Sequence, residues 1–235
     1  IALKNNKKSS YCECFMIQFY NFKKYLEITH IMSVKLSPII AGVMNWGVWD
    51  KNLNTKEMNH LIHLFFENGI TTFDHADIYG GYTTEAAFGK ALTESKIERK
   101  NIQLITKCGI EHISENRPKN LVKHYNYSKD YIIWSAENSL KNLQTDYLDV
   151  FLLHRPSPLL QADEVAEAVE KLKSDGKILS FGVSNFTPSQ TELLRQKTEI
   201  SFNQIQFSAT NHEAMLDGSL DYMQLHKITP MAWNP

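Results

Sequence analysis

Five apolar runs in this 235-residue chain end in side chains that can exchange protons or make directed hydrogen bonds. Asp74 closes ITTFD, Lys107 closes IQLITK, His154 closes DVFLLH, Ser184 and Asn185 close ILSFGVSN, and Gln204 and Gln206 alternate with apolar residues in FNQIQF. Tyr79 follows Asp74 by five residues and stands just before Gly80 and Gly81, on the loop leaving the same run. A carboxylate, an amine, an imidazole and a phenol are groups from which proton-transfer sites are assembled. Each has an ordinary explanation alone: Asp74 as a loop carboxylate, Lys107 as a solvated end, His154 as a hydrogen-bonded core histidine, Tyr79 as a half-buried loop aromatic. Their repetition at the same end of successive runs makes a shared site the better reading. His75 points to the opposite face by strand alternation and is left out of the set.

The elements that must position these groups follow from the spacing of apolar residues. Strands are expected at 38–43, 70–76, 101–107, 147–154, 178–184, 201–208 and 228–233. Helices are expected between them, around 54–68, 83–95, 128–143, 161–175, 187–197 and 215–226, with start signals at Thr55, Ser128 and Thr187-Pro188. Gly69 and Gly176 stand where a left-handed residue ends a helix. Strand-helix alternation of this kind builds a parallel sheet with crossover helices. Seven strands and six helices point to an α/β fold, an incomplete (β/α)8 barrel, whose active site lies at the C-terminal ends of the strands. A doubly wound sheet is the competitor, but no strand is followed by GxGxxG.

Composition narrows the function classes. At 43% hydrophobic residues the chain can bury one sizeable core. A net charge of -1 with interspersed acids and bases offers no face for nucleic acid. The three cysteines, Cys12, Cys14 and Cys108, lack metal or disulfide spacing and fit a reducing, cytoplasmic setting; no metal site is expected. No apolar run approaches the roughly 20 residues that span a bilayer, so no membrane partner is expected. Residues 1–31 carry five Lys against two Glu without a clear period and precede Met32. They are read as an appendage, with residues 32–235 forming the partial barrel.

The segments FDHADIYGGYTTEAAFGKAL, ITKCGI, DYLDVFLLHRP and GKILSFGVSNF resemble the aldo-keto reductases, in the same order and with compatible gaps, from about Leu36 to Pro235. The chain is similar to the bacterial-type oxidoreductase members of that family. The resemblance implies hydride transfer from a nicotinamide cofactor, NADP(H) before NAD(H), to a small aldehyde or ketone. It casts Tyr79 as the general acid, Lys107 as the cation that stabilises its conjugate base, Asp74 as the carboxylate that keeps Lys107 charged, and His154 as the group orienting the carbonyl. A free phenol has a pKa of about 10, so a neighbouring cation would help it donate near neutrality. Ser184, Asn185 and Gln204 match the groups that hold the nicotinamide carboxamide, and Trp233 the aromatic stacked on its ring.

Trp46 and Trp49 on the loop after the first strand, and Asn211 with His212 after the sixth, are candidates for the substrate pocket. Family members continue past the seventh strand through the segment that clamps the cofactor phosphates, so the chain is expected to be truncated. Two other functions fit the same motifs: a cofactor-binding regulatory barrel without rapid turnover, and an inactive remnant. Loss of turnover in Tyr79→Phe separates the enzyme from the first, and cofactor titration separates it from the second. Physiological substrate and oligomeric state are not encoded in these motifs.

Overall fold

The structure is a computed structural model that describes residues 34–235. The appendage expected over residues 1–31, and the start expected at Met32, lie outside the described residues.

Seven strands form one sheet: β1 (Ile40–Gly42), β2 (Thr72–Asp74), β3 (Gln103–Cys108), β6 (Leu148–Leu153), β7 (Ile178–Ser184), β8 (Phe202–Gln206) and β9 (Thr229–Trp233), paired in that order. All six pairings are parallel, so every strand presents its C-terminal end to the same rim. A two-stranded antiparallel hairpin, β4 (Ile110–Glu111) with β5 (His124–Tyr125), stands on the loop after β3. The crossovers carry helices α1 (Thr55–Glu67), α2 (Thr84–Ser95), α3 (Lys129–Leu143), α4 (Ala162–Ser174), α5 (Pro188–Arg195) and α6 (Ser219–Leu225). The result is a curled half-barrel, the incomplete (β/α)8 architecture, and no pairing joins β1 to β9 among the described residues.

Strand alternation divides the apolar residues into two layers. Ile105, Val150, Leu152, Phe202 and Met231 pack together on the inner face, with Val34, Leu36 and Ile40 against them. The larger outer layer includes Phe73, Leu104, Phe151, Phe181 and Val183 from the strands, with Ile62, Phe88, Ile132, Leu140, Val169 and Leu172 from the helices. Gly182 allows the inner layer to close, because a Cβ there would stand 2.4 Å from the Phe202 carbonyl and 2.9 Å from a Leu152 methyl.

Helix ends follow local side-chain chemistry. The cap of α1 is Asn54, one residue before the expected Thr55; its carboxamide accepts the Lys56 and Glu57 amides, and Glu57 returns a bond to the Asn54 amide. Thr187 makes the same reciprocal box with Gln190 ahead of Pro188. Gly69 and Gly176 follow their helices at φ +75° and +69°, as their positions predicted.

Candidate active site

Lys107 is the centre of the rim. It lies on the inner face of β3, is 1% exposed, and its ammonium donates to both Asp74 carboxylate oxygens at 2.8 Å. The same ammonium donates to the His75 carbonyl at 2.7 Å and to the Tyr79 hydroxyl at 3.5 Å. Asp74 ends β2, directly beside β3, and Tyr79 returns from the following loop as a turn closed by its amide bond to the Ala76 carbonyl. His154 is carried past the end of β6 by a bond from its amide to the Cys108 carbonyl. Its ring meets that of Tyr79 edge-on, centroids 6.1 Å apart. The four ionisable groups singled out in the sequence therefore meet at one place.

Burial is the strongest influence on the electrostatics of this group. It pulls the Lys107 ammonium down, but Asp74 and Tyr79 outweigh it and the net direction is above an ordinary lysine. Burial also raises the Tyr79 phenol, and Lys107 opposes that rise without overcoming it. Tyr79 is thus held as a protonated donor, with the cation that would stabilise its phenolate already in contact. Burial pushes the His154 imidazole well below its usual range, and Lys107, Arg155 and Lys123 push it the same way. The neutral ring has an enclosed, unpartnered Nδ1. An unmet acceptor is less costly there than an unmet N–H, which favours the proton on Nε2, the nitrogen able to reach a ligand.

Next along the rim is a continuous polar chain. Ser184 and Gln204 are register partners on β7 and β8, and the Asn185 amide donates to the Gln204 carbonyl at 2.8 Å. The Asn185 carboxamide donates to the Ser184 hydroxyl at 2.8 Å and accepts the Trp233 indole N–H at 2.9 Å. Asn185 takes φ +60°, a left-handed conformation that Asn tolerates, at the point where the strand turns outward. Gln206 is paired in register with Trp233. A hydroxyl and two carboxamides lined up this way provide both donors and acceptors, matching the needs of a primary amide.

The pocket candidates separate. Trp49 is 44% exposed and meets Tyr79 and His112 edge-on at 6.1 and 6.0 Å. Trp46 does not reach the rim: it is buried against Phe65, Phe73 and Phe88 in the outer layer. The loop turns down toward α1 within a few residues of β1, so Trp46 serves the core. Asn211 stays within a turn, exchanging backbone and side-chain bonds with Ser208. His75 lies on the outer side against Phe88, as alternation predicted.

Two residues at the rim escaped the sequence reading. His112 sits on the loop between β4 and β5, where no periodic pattern marks it. Arg155 directly follows His154 in FLLHRP, and a second charged residue beyond a strand end was the available signal. A surface groove of about 630 Å³ lies away from this group, between α4 and the turn after α5. Its charges pair locally, as Lys197 does with Asp163 at 2.7 Å.

The sequence model of the Aldo/keto reductase family matches residues 38–235. The oxidoreductase YcsN of Bacillus subtilis, itself uncharacterized, is 48% identical over 204 residues, covering 86% of this chain and 67% of the relative. The oxidoreductase YdhF of Escherichia coli is 44% identical over 191 residues, covering 80% and 63%. Among solved structures, an aldo-keto reductase from Klebsiella pneumoniae in complex with NADPH superposes with a TM-score of 0.69 at 27% identity, covering 85% of this chain and 64% of that one. The chain thus spans about two thirds of the length of these relatives.

Proposed function

The chain belongs to the aldo/keto reductase family, and from that premise we propose that it reduces the carbonyl of a small aldehyde or ketone to an alcohol with NADP(H). The observation that carries this reading is the Lys107 ammonium, which joins a carboxylate on one side to a buried phenol on the other.

In the reaction, the carbonyl oxygen lies between the Tyr79 hydroxyl and His154 Nε2. His154, neutral, donates a hydrogen bond that orients the carbonyl. The reduced nicotinamide supplies the hydride when bound. Tyr79 then gives its proton to the developing alkoxide, and Lys107 stabilises the phenolate left behind. Asp74 keeps Lys107 charged throughout. The chemistry of the donor set fits the cofactor's carboxamide end: Ser184, Asn185 and Gln204 would hold the amide, and Trp233, tied to Asn185, would lie against the ring. The naming of NADP(H) is supported by the NADPH bound in the superposed Klebsiella pneumoniae aldo-keto reductase. We assign residues 1–31 to an appendage, residues 32–235 to the barrel, and the protein to the cytoplasm; no helix of the described residues is long and apolar enough to cross a membrane.

The test is NADPH oxidation by the 235-residue chain with propanal, compared with Tyr79→Phe. Removing the hydroxyl proposed as the proton donor should lower kcat by about 10²-fold or more. Unchanged turnover in that variant removes Tyr79 as the acid.

A further inference from the structure

We infer that Arg155 recognises a carboxylate carried by the carbonyl substrate, so that the site selects oxo acids over neutral carbonyl compounds of the same size. This rests on the reductase reading above and names its substrate class.

The chain has four arginines; among the described residues two are paired with acids and two rest on aromatic rings. Arg99 donates to Asp149 at 2.6 Å and lies 4.0 Å from the Tyr147 ring centre. Arg195 pairs with Glu192 at 2.8 Å. Arg117 is held by two rings, Tyr82 at 4.7 Å and Trp134 at 4.2 Å. The fourth, Arg155, has no ion pair and no side-chain hydrogen bond among the described residues; its guanidinium lies 5.4 Å from the centre of the Trp233 ring. It is half-buried at the inner rim.

Its position is fixed from behind. The Tyr127 hydroxyl donates to the Arg155 carbonyl and accepts the Arg155 amide, so the backbone on which the guanidinium is mounted is clamped on both sides. Tyr79 and His154 both feel its charge. The Asp74 carboxylate is paired with Lys107 through both oxygens, and no contact between it and Arg155 is present among the described residues. Lys123 adds further positive charge toward His154. A planar fork of five donors, partly desolvated and mounted one residue beyond His154, whose imidazole feels its charge, is matched by a carboxylate accepting two parallel N–H bonds. The Trp233 face restricts its motion, which lowers the entropy lost on binding.

The test uses oxamate and oxamide, a carboxylate and its neutral amide of the same shape, titrated calorimetrically into the 235-residue chain with and without NADP. Wild type should bind oxamate roughly tenfold or more tightly than oxamide, as expected for one charge-assisted bidentate contact. Arg155→Met should bring the ratio close to one, and Arg155→Lys should restore part of it, since the charge returns without the fork. Equal affinities in wild type, absence of saturable oxamate binding, or an unchanged ratio in Arg155→Met each overturn the inference. Propanal turnover separates it from the reductase reading. Turnover with a ratio of one sinks the carboxylate site alone, whereas a high ratio without turnover sinks only the reductase reading.

Discussion

Thr106 and Lys107 are neighbours on β3, yet they belong to two polar clusters that solve burial in opposite ways. On the inner face, Lys107 contacts a carboxylate of opposite charge, and Tyr79 beside it meets the rings of Trp49 and His154. On the outer face, Thr106 donates to Glu85 at 2.6 Å, Asn142 reaches the same carboxyl at 3.4 Å, and Ser135 donates to Asp77 at 3.1 Å. No ion pair serves either outer acid among the described residues. Burial raises both carboxyls, and the charge of Glu85 raises Asp77 further. The inner cluster keeps charges by matching them; the outer one suppresses charge. The same loop serves both, since Asp74 and Tyr79 turn inward while His75 and Asp77 turn outward. The two clusters are therefore distinguished by the pairing of charge, not by how many polar groups are buried.

The largest test of this contrast is Lys107→Met. It strands Asp74, 9% exposed, without its cation and removes the group that would stabilise the Tyr79 phenolate. Urea unfolding should show a loss of about 3 kcal/mol, and kcat/KM for propanal should fall by about 10²-fold or more. The wild-type contribution has a definite sign with pH. Lys107 titrates above its ordinary value in the fold, so its stabilisation is complete below that value and is lost as pH rises through the folded one. A loss of less than about 1 kcal/mol would mean that matched charge is not what holds the inner cluster.

How much of this contrast the sequence carries depends on whether a residue's role follows from its own run. The inner quartet was legible because each member closes or follows an apolar strand, and parallel strands share a rim. All seven strands and six helices were legible for the same reason. The β4–β5 hairpin was not, since strands of two residues have no period to detect. Trp46 was misplaced because a loop aromatic carries no mark of which side of the sheet it will cover. Glu85 was invisible as a buried acid: in the first turn of α2 it reads as an ordinary acidic residue near a helix N-terminus. Its burial comes from α3 and β3, contacts that only the fold creates.

A smaller effect is expected at His75. Its two ring nitrogens are enclosed without partners against Phe88, centroids 4.3 Å apart. Burial first, and Lys107 second, push its pKa down to about 3 from 6.5. A base held neutral in this way leaves stability intact above 6.5 and subtracts from it as pH falls toward 3. His75→Leu should leave neutral-pH stability within about 1–2 kcal/mol of wild type and flatten the acid limb of a stability–pH curve. His154 shares that limb, so some slope should persist. An unchanged limb in His75→Leu would show that His75 gains a partner or solvent on acidification.

The smallest effect belongs to Glu85→Gln, and its smallness is informative. If the outer cluster holds Glu85 as a neutral acid, an uncharged isostere keeps an acceptor for Thr106, can donate to the Asn142 carboxamide once that group is flipped, and should change stability by no more than about 1 kcal/mol near pH 4. A carboxyl raised in the fold subtracts stability as pH rises from its unfolded value, about 4.5, through its folded value. Glu85→Gln should therefore become progressively more stable than wild type as pH rises above about 4.5, while propanal turnover stays the same. The reverse slope, with the variant weakening relative to wild type as pH rises, would mean that the carboxylate is charged and matched in the fold. The outer cluster would then follow the same rule as the inner one, and matched charge would no longer distinguish the two.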